Sequence, residues 1–160
     1  LVFTDQGLLV DTVIVSRSPS YTTGDVRVLE AVDLEGVDPP LKRSLLSFRN
    51  CILFSTQGDR PEADKMSGGD MDGDQYLVIW DKRLTKHASQ LRMEQPAKYD
   101  SMPPKAEHNA QLDWIAYVSQ FDGSMLGRVD RAFYTTAKEK GIKSEEAKQL
   151  NMLFSSLVDK

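Results

Sequence analysis

Between residues 66 and 81 the chain reads Met66-Ser67-Gly68-Gly69-Asp70-Met71-Asp72-Gly73-Asp74-Gln75-Tyr76-Leu77-Val78-Ile79-Trp80-Asp81, and this segment constrains the fold more than any other. Three carboxylates, Asp70, Asp72 and Asp74, stand at i, i+2 and i+4. At neutral pH they repel one another, at a cost that grows as water is removed. Such a cluster is expected where a cation neutralises it. Oxygen-only ligands favour the hard ions Mg²⁺, Mn²⁺ and Ca²⁺ over zinc. On a straight strand, side chains at i, i+2 and i+4 share a face, but they spread wider than one ion's ligand sphere. The backbone therefore has to curl. Gly68, Gly69 and Gly73 are the expected loop-shaping residues, because glycine accepts positive φ at little cost. The apolar run from Tyr76 to Trp80 reads as a buried strand that fastens the loop.

Charge supports the same segment. The whole chain carries a formal charge of −4, which is unlike the basic balance of a simple nucleic-acid-binding module. The negative charge is concentrated: residues 59–81 hold seven acids against Arg60 and Lys65. A solvated acidic loop is the plainest alternative, since exposed acids need no explanation, but three Asp in five residues, ringed by glycine and tied to an apolar strand, weigh against it. A calcium loop of EF-hand type is the second alternative. Asp70, Asp72, Asp74 and Asp81 match its positions 1, 3, 5 and 12. Gln75 stands where that loop needs glycine, and Pro61 and Gly68-Gly69 deny it an incoming helix.

The remainder divides into a β half and an α half. Val10 to Val15, Val26 to Leu29 and Cys51 to Phe54 read as strands, the last as a continuous apolar run buried on both faces. Gly24-Asp25, Gly36 to Pro40 and Gln57 to Pro61 read as turns or breaks. Residues 83–106 are polar and hold Pro96, Pro103 and Pro104, a long connection with no predicted element. Helical spacing follows in Leu112, Ile115, Ala116 and Ser119, and again in Leu126, Val129, Ala132 and Phe133. Ser144-Glu145-Glu146 predicts a helix start, with Ala147, Leu150, Leu153, Phe154 and Leu157 as its apolar stripe. The expected domains are thus 1–82, carrying the metal loop, the connection 83–106, and a helical region 107–160. The fold class is α+β.

Nothing approaches the roughly 18–20 apolar residues of a membrane helix. With one cysteine, Cys51, among 160 residues, no internal disulfide can form, and a reducing, intracellular setting is expected. His87 and His108 build no grouping of nucleophile and base. The chain starts at Leu1 and stops at Lys160 within a helical pattern, so a fragment of a longer polypeptide is expected.

A third chemistry fits the carboxylates best. Nucleotidyl transfer uses a few acidic ligands and leaves other metal positions to substrate. Ser67-Gly68-Gly69-Asp70-Met71-Asp72-Gly73-Asp74-Gln75-Tyr76, running into Val78-Ile79-Trp80-Asp81, resembles the catalytic segment of the eukaryotic cellular RNA-dependent RNA polymerases of RNA silencing. It is more distantly similar to the Asp-x-Asp-Gly-Asp loop of the largest subunit of multisubunit RNA polymerases. Val15-Ser16-Arg17-Ser18-Pro19 with Gly24-Asp25-Val26-Arg27-Val28, Gly58-Asp59-Arg60-Pro61 and Leu126-Gly127-Arg128 resemble further stretches of the silencing enzymes. Ser18 stands where that family usually has Asn, and Thr22-Thr23 where it has His-Pro.

The resemblance implies an N-terminal double-psi β-barrel, partial or whole, followed by a helical region. It implies Asp70, Asp72 and Asp74 as metal ligands and catalytic groups for Mg²⁺, with Mn²⁺ as a substitute. A second ion would arrive with the NTP. It implies an RNA template and NTPs as partners, no membrane, double-stranded RNA for gene silencing as product, and a second barrel upstream of Leu1 bearing the family's lysine. Arg60, Arg17, Arg27 and Arg128 fall in family-like stretches and could hold phosphate bidentately, or serve in ion pairs. The competing expectations are a Ca²⁺-binding module without enzymatic activity and an inactive, structural polymerase fragment.

Overall fold

The computed structural model describes residues 1–92, 94–98 and 123–158. Two compact units result, Leu1–Ala97 and Lys98–Lys160. The first is built on two three-stranded antiparallel sheets. One has the order β2-β1-β5, from β1 (Val2–Thr4), β2 (Gly7–Leu9) and β5 (Cys51–Ile52); the other has the order β4-β3-β6, from β3 (Asp11–Arg17), β4 (Arg27–Ala31) and β6 (Tyr76–Ile79). β3 is the central strand of its sheet, and Val13, Ile14 and Val15 are all buried, so both of its faces are covered there. Val2, Val13, Val15, Ala31 and Met66 form the core, with Leu29, Phe54, Tyr76 and Val78 packed against it. Met66 is fully buried. Burying such a side chain contributes about 1.5–3 kcal/mol, and it pins the start of the acidic loop to the sheets.

Several expectations need correction. The run Cys51 to Phe54 is half-buried and only Cys51–Ile52 pair as a strand, at the edge of the sheet. Phe54 closes on Tyr76 edge-to-face, centroids 5.2 Å apart. β6 is likewise an edge strand, with Leu77 62% exposed and Trp80 47% exposed, so it is not a buried strand. An apolar run cannot distinguish a central strand from an edge strand with one open face. The break at Gly36 to Pro40 leads into a helix, α1 (Pro39–Leu45), where Asp38 caps the amide of Leu41 and proline occupies the first turn. The polar connection contains two short helices, α2 (Lys82–Thr85) and α3 (Ser89–Arg92). Asp81 caps α2 through the amide of Arg83.

The second unit contains α4 (Ser124–Lys140) and α5 (Glu145–Val158). α4 buries Val129 and Phe133, and α5 buries Ala147 and Phe154, as the helical spacing predicts. The hydroxyl of Ser144 accepts from the amide of Ala147 at 3.3 Å, capping α5 where the sequence places its start. Leu153 departs from the predicted stripe and is exposed. The spacing of Leu112, Ile115, Ala116 and Ser119 and the residue His108 lie outside the described residues. No helix among the described residues is long and apolar enough to cross a membrane.

Candidate metal centre

Residues 61–68 wind through successive turns, with Lys65 donating to the carbonyl of Pro61, Met66 to that of Ala63 and Gly68 to that of Asp64. No helix leads directly into the acidic loop, and a strand follows it. The helix–loop–helix of a calcium hand is therefore absent here. From this turn the chain curls so that Asp70, Asp72 and Asp74 each offer one oxygen within 4.8 Å of the others. Among the described residues this is the one such grouping of three or more metal-ligating side chains.

The curl is made partly as expected. Gly68 and Gly73 lie at φ +69° and +132°. Gly69 has no positive φ and serves for close approach instead: a Cβ there would lie 2.8 Å from the carbonyl oxygen of Ala63 and 3.0 Å from the hydroxyl of Tyr76. Two further bends fall on non-glycine residues, Ser67 at φ +54° and Met71 at φ +66°. Such residues carry strain of order 1 kcal/mol or more and persist where their surroundings over-determine them.

The three acids stand in unequal surroundings. Asp70 and Asp72 are exposed, whereas the Asp74 side chain is 5% exposed. The hydrogen-bonding contact and negative charge of Asp70 raise the Asp72 carboxyl above its usual range, with smaller contributions from desolvation and Asp74. Burial pushes Asp74 up, but a hydrogen bond from Arg17, the amide of Met71 and the charge of Arg17 outweigh it and hold Asp74 below the ordinary range. Arg17 Nε donates to Asp74 Oδ1 at 2.5 Å, and the Met71 amide to Asp74 Oδ2 at 3.0 Å. Burial and then the charge of Asp74 push the Tyr76 hydroxyl up to about 12, so it remains a donor, 3.4 Å from Asp74 Oδ2.

The four arginines divide. Arg17 joins the loop. Arg27 donates to Glu62 at 2.8 Å. Arg60 pairs with the Asp64 carboxylate and also donates to the carbonyls of Asp64 and Ala97, at 2.8 and 2.9 Å. Arg128 is an exposed residue of α4. One residue not singled out from sequence is Asp25. It is fully buried, accepting from the hydroxyl of Ser67 and from the amide of Ala97, both at 3.3 Å. Its signal was the turn Gly24-Asp25: a Cβ on Gly24 would fall 1.9 Å from the carbonyl oxygen of Gln95. Beside the loop an open groove of about 650 Å³ runs past Met71, Gly73, Asp74, Tyr76 and Trp80 to β1 and β5.

Glu62 offers a test of the surrounding frame. Burial raises its carboxyl, but hydrogen bonds from Lys65 and Arg27 prevail and leave it lowered. Its contribution to stability is thus fully present above the unfolded value, near pH 4, and is lost as pH falls through the lower folded value. Glu62→Gln is expected to cost roughly 1 kcal/mol at pH 7 and progressively less below pH 4. Amide protection of residues 62–66, measured at pH 7 and below pH 4 in the full-length protein, checks this.

An all-oxygen loop suited to a hard divalent cation, mounted on paired antiparallel sheets, defines the kind of chain this is. Its relatives name the family. The model of the RNA dependent RNA polymerase family matches residues 3–160, and the chain belongs to that family. It is 31% identical over 156 residues to the probable RNA-dependent RNA polymerase 2 of Oryza sativa subsp. japonica, covering 94% of this chain and 13% of that protein. It is 32% identical over 163 residues to RNA-dependent RNA polymerase 1 of Schizosaccharomyces pombe, covering 95% of this chain and 12% of the relative. The chain therefore spans about an eighth of these relatives. The solved RNA dependent RNA polymerase QDE-1 from Thielavia terrestris shares the fold, with TM-score 0.61 and 24% identity over 94% of this chain and 18% of that one.

Proposed function

We propose that this chain is the metal-holding part of the catalytic centre of an RNA-directed RNA polymerase of RNA silencing, acting within a much longer polypeptide. The observation that carries the reading is the convergence of Asp70, Asp72 and Asp74 to within 4.8 Å, in a chain of this family. A hard divalent cation takes oxygen ligands of this kind, and Asp70 and Asp72 are exposed, where such an ion would meet them. Their mutual repulsion, read in the raised Asp72 carboxyl, is relieved by a cation.

Asp70, Asp72 and Asp74 would hold Mg²⁺, or Mn²⁺ in its place. When bound, the ion would acidify the 3′-hydroxyl of the growing strand and, with a second ion brought by the NTP, would offset charge at the α-phosphate and the departing pyrophosphate. Of these ligands Asp74 is held in place by Arg17 and the Met71 amide, and the adjoining groove has the size of a small-molecule site. RNA template and NTPs are the partners in this reading, with double-stranded RNA as product. The two sheets are taken as belonging to a double-psi barrel that faces a second barrel carrying a lysine. An intracellular setting agrees with the free thiol of Cys51. Arg27 and Arg60 are read as ion-pairing residues of the frame, because both guanidiniums already hold carboxylates, and Arg128 keeps a phosphate contact as its proposed role.

The experiment is template-directed RNA synthesis by the full-length protein. Mg²⁺ or Mn²⁺ with NTPs is expected to support it, a chelator to stop it, and Ca²⁺ not to restore it. Tight Ca²⁺ binding without synthesis in Mg²⁺ or Mn²⁺ would select the binding module instead.

A further inference from the structure

We propose that Arg17 is a positioning residue, which presets Asp74 and the strained Ser67 so that the three carboxylates face one ion. The inference rests on the polymerase reading above and changes the role of Arg17 from phosphate contact to loop clamp. The β3–β6 register sets Arg17 opposite Tyr76, two residues beyond Asp74, so the end of β3 lies against the end of the acidic loop. Its guanidinium then reaches both ends of that loop: Nε donates to Asp74 Oδ1 at 2.5 Å and Nη1 to the carbonyl of Ser67 at 2.8 Å. A planar fork can make both contacts at once, whereas an ammonium is a point charge on a flexible stem.

The partners at each end make the clamp specific. Ser67, in its left-handed conformation, is held at its carbonyl by Arg17 and at its hydroxyl by the buried carboxylate of Asp25. Asp74 is held at Oδ1 by Arg17 and at Oδ2 by Tyr76 and by Met71, itself at positive φ. The carboxylate plane is thus set from both sides before any ion arrives. Groups that orient a metal ligand this way typically change metal affinity 10–100-fold when removed.

The test uses the full-length protein with Arg17→Ala and Arg17→Lys. Without substrate, Mn²⁺ affinity measured by electron paramagnetic resonance is expected to fall at least tenfold in Arg17→Ala, with partial recovery in Arg17→Lys. Without metal, hydrogen-exchange protection of the Met71 amide falls in the same order. In RNA synthesis the metal concentration for half-maximal rate rises, while KM for NTP at saturating metal stays within twofold. Unchanged Mn²⁺ affinity with a raised KM for NTP would overturn the proposal in favour of a substrate contact. Tighter Mn²⁺ binding in Arg17→Ala would overturn it too, by making the guanidinium a competitor of the ion. If Arg17→Ala does not fold, Arg17→Lys decides, since it keeps the charge and loses the fork. A wild-type protein that makes no RNA, yet loses Mn²⁺ affinity in Arg17→Ala, would sink the polymerase reading and leave the clamp standing.

Discussion

Asp72→Asn in the full-length protein is expected to abolish RNA synthesis, by about three orders of magnitude or more, while leaving the fold intact. Asp72 is exposed, and its carboxyl is raised chiefly by contact with Asp70. Neutralising it removes repulsion from Asp70 and Asp74 against a smaller loss of attraction to Arg17, so the loop is expected to keep its fold. Asp74→Ala is expected to lose synthesis to the same extent for a compound reason. It removes a ligand, and it also leaves Arg17 without its carboxylate and the Met71 amide without its acceptor. The exposed Met71 amide can turn to water, but losing the charge-assisted bond to the largely covered Arg17 guanidinium costs about 1.5–3 kcal/mol. Loop protection against hydrogen exchange should therefore fall in Asp74→Ala and hold in Asp72→Asn. Near-normal synthesis by either variant would remove the metal assignment.

Gly69→Ala is the second large effect. The methyl group would meet a backbone oxygen of Ala63 at 2.8 Å, the Tyr76 hydroxyl at 3.0 Å and Arg17 Cδ at 3.1 Å. Overpacking of this kind typically costs 1–3 kcal/mol, and here two of the three neighbours hold Asp74. A fall of about tenfold or more in Mn²⁺ affinity and in synthesis is expected together. Gly73→Ala is the informative control. It lies at φ +132° with open space around its Cβ position, so it brings backbone strain without collision. If Gly69→Ala behaves as wild type while Gly73→Ala does not, the close approach at Gly69 is not what shapes the loop.

Much of this was legible along the chain. The i, i+2, i+4 spacing of Asp70, Asp72 and Asp74, with glycine between and before them, announces a curled carboxylate loop, because like charges that close call for a cation. The helical pair was legible from the 3.6-residue period of Val129, Phe133, Ala147 and Phe154, and the start of α5 from Ser144. These are local signals, carried by neighbours in sequence. The helix α1 was hidden behind Pro39-Pro40, which break a helix in its interior but suit its first turn. The edge status of β5 and β6 was hidden because an apolar run does not state how many of its faces are covered.

Residue type and spacing alone determined that the acids form one group and that hard-cation chemistry suits them. Which acid is clamped by a distant residue and which stand exposed was decided only by the tertiary structure. Arg17 lies 57 residues from Asp74 and Asp25 lies 42 from Ser67, and each meets its partner through pairing of β3 with β4 and β6. Strand register is a property of distant segments brought together around a shared core, and no local pattern encodes it.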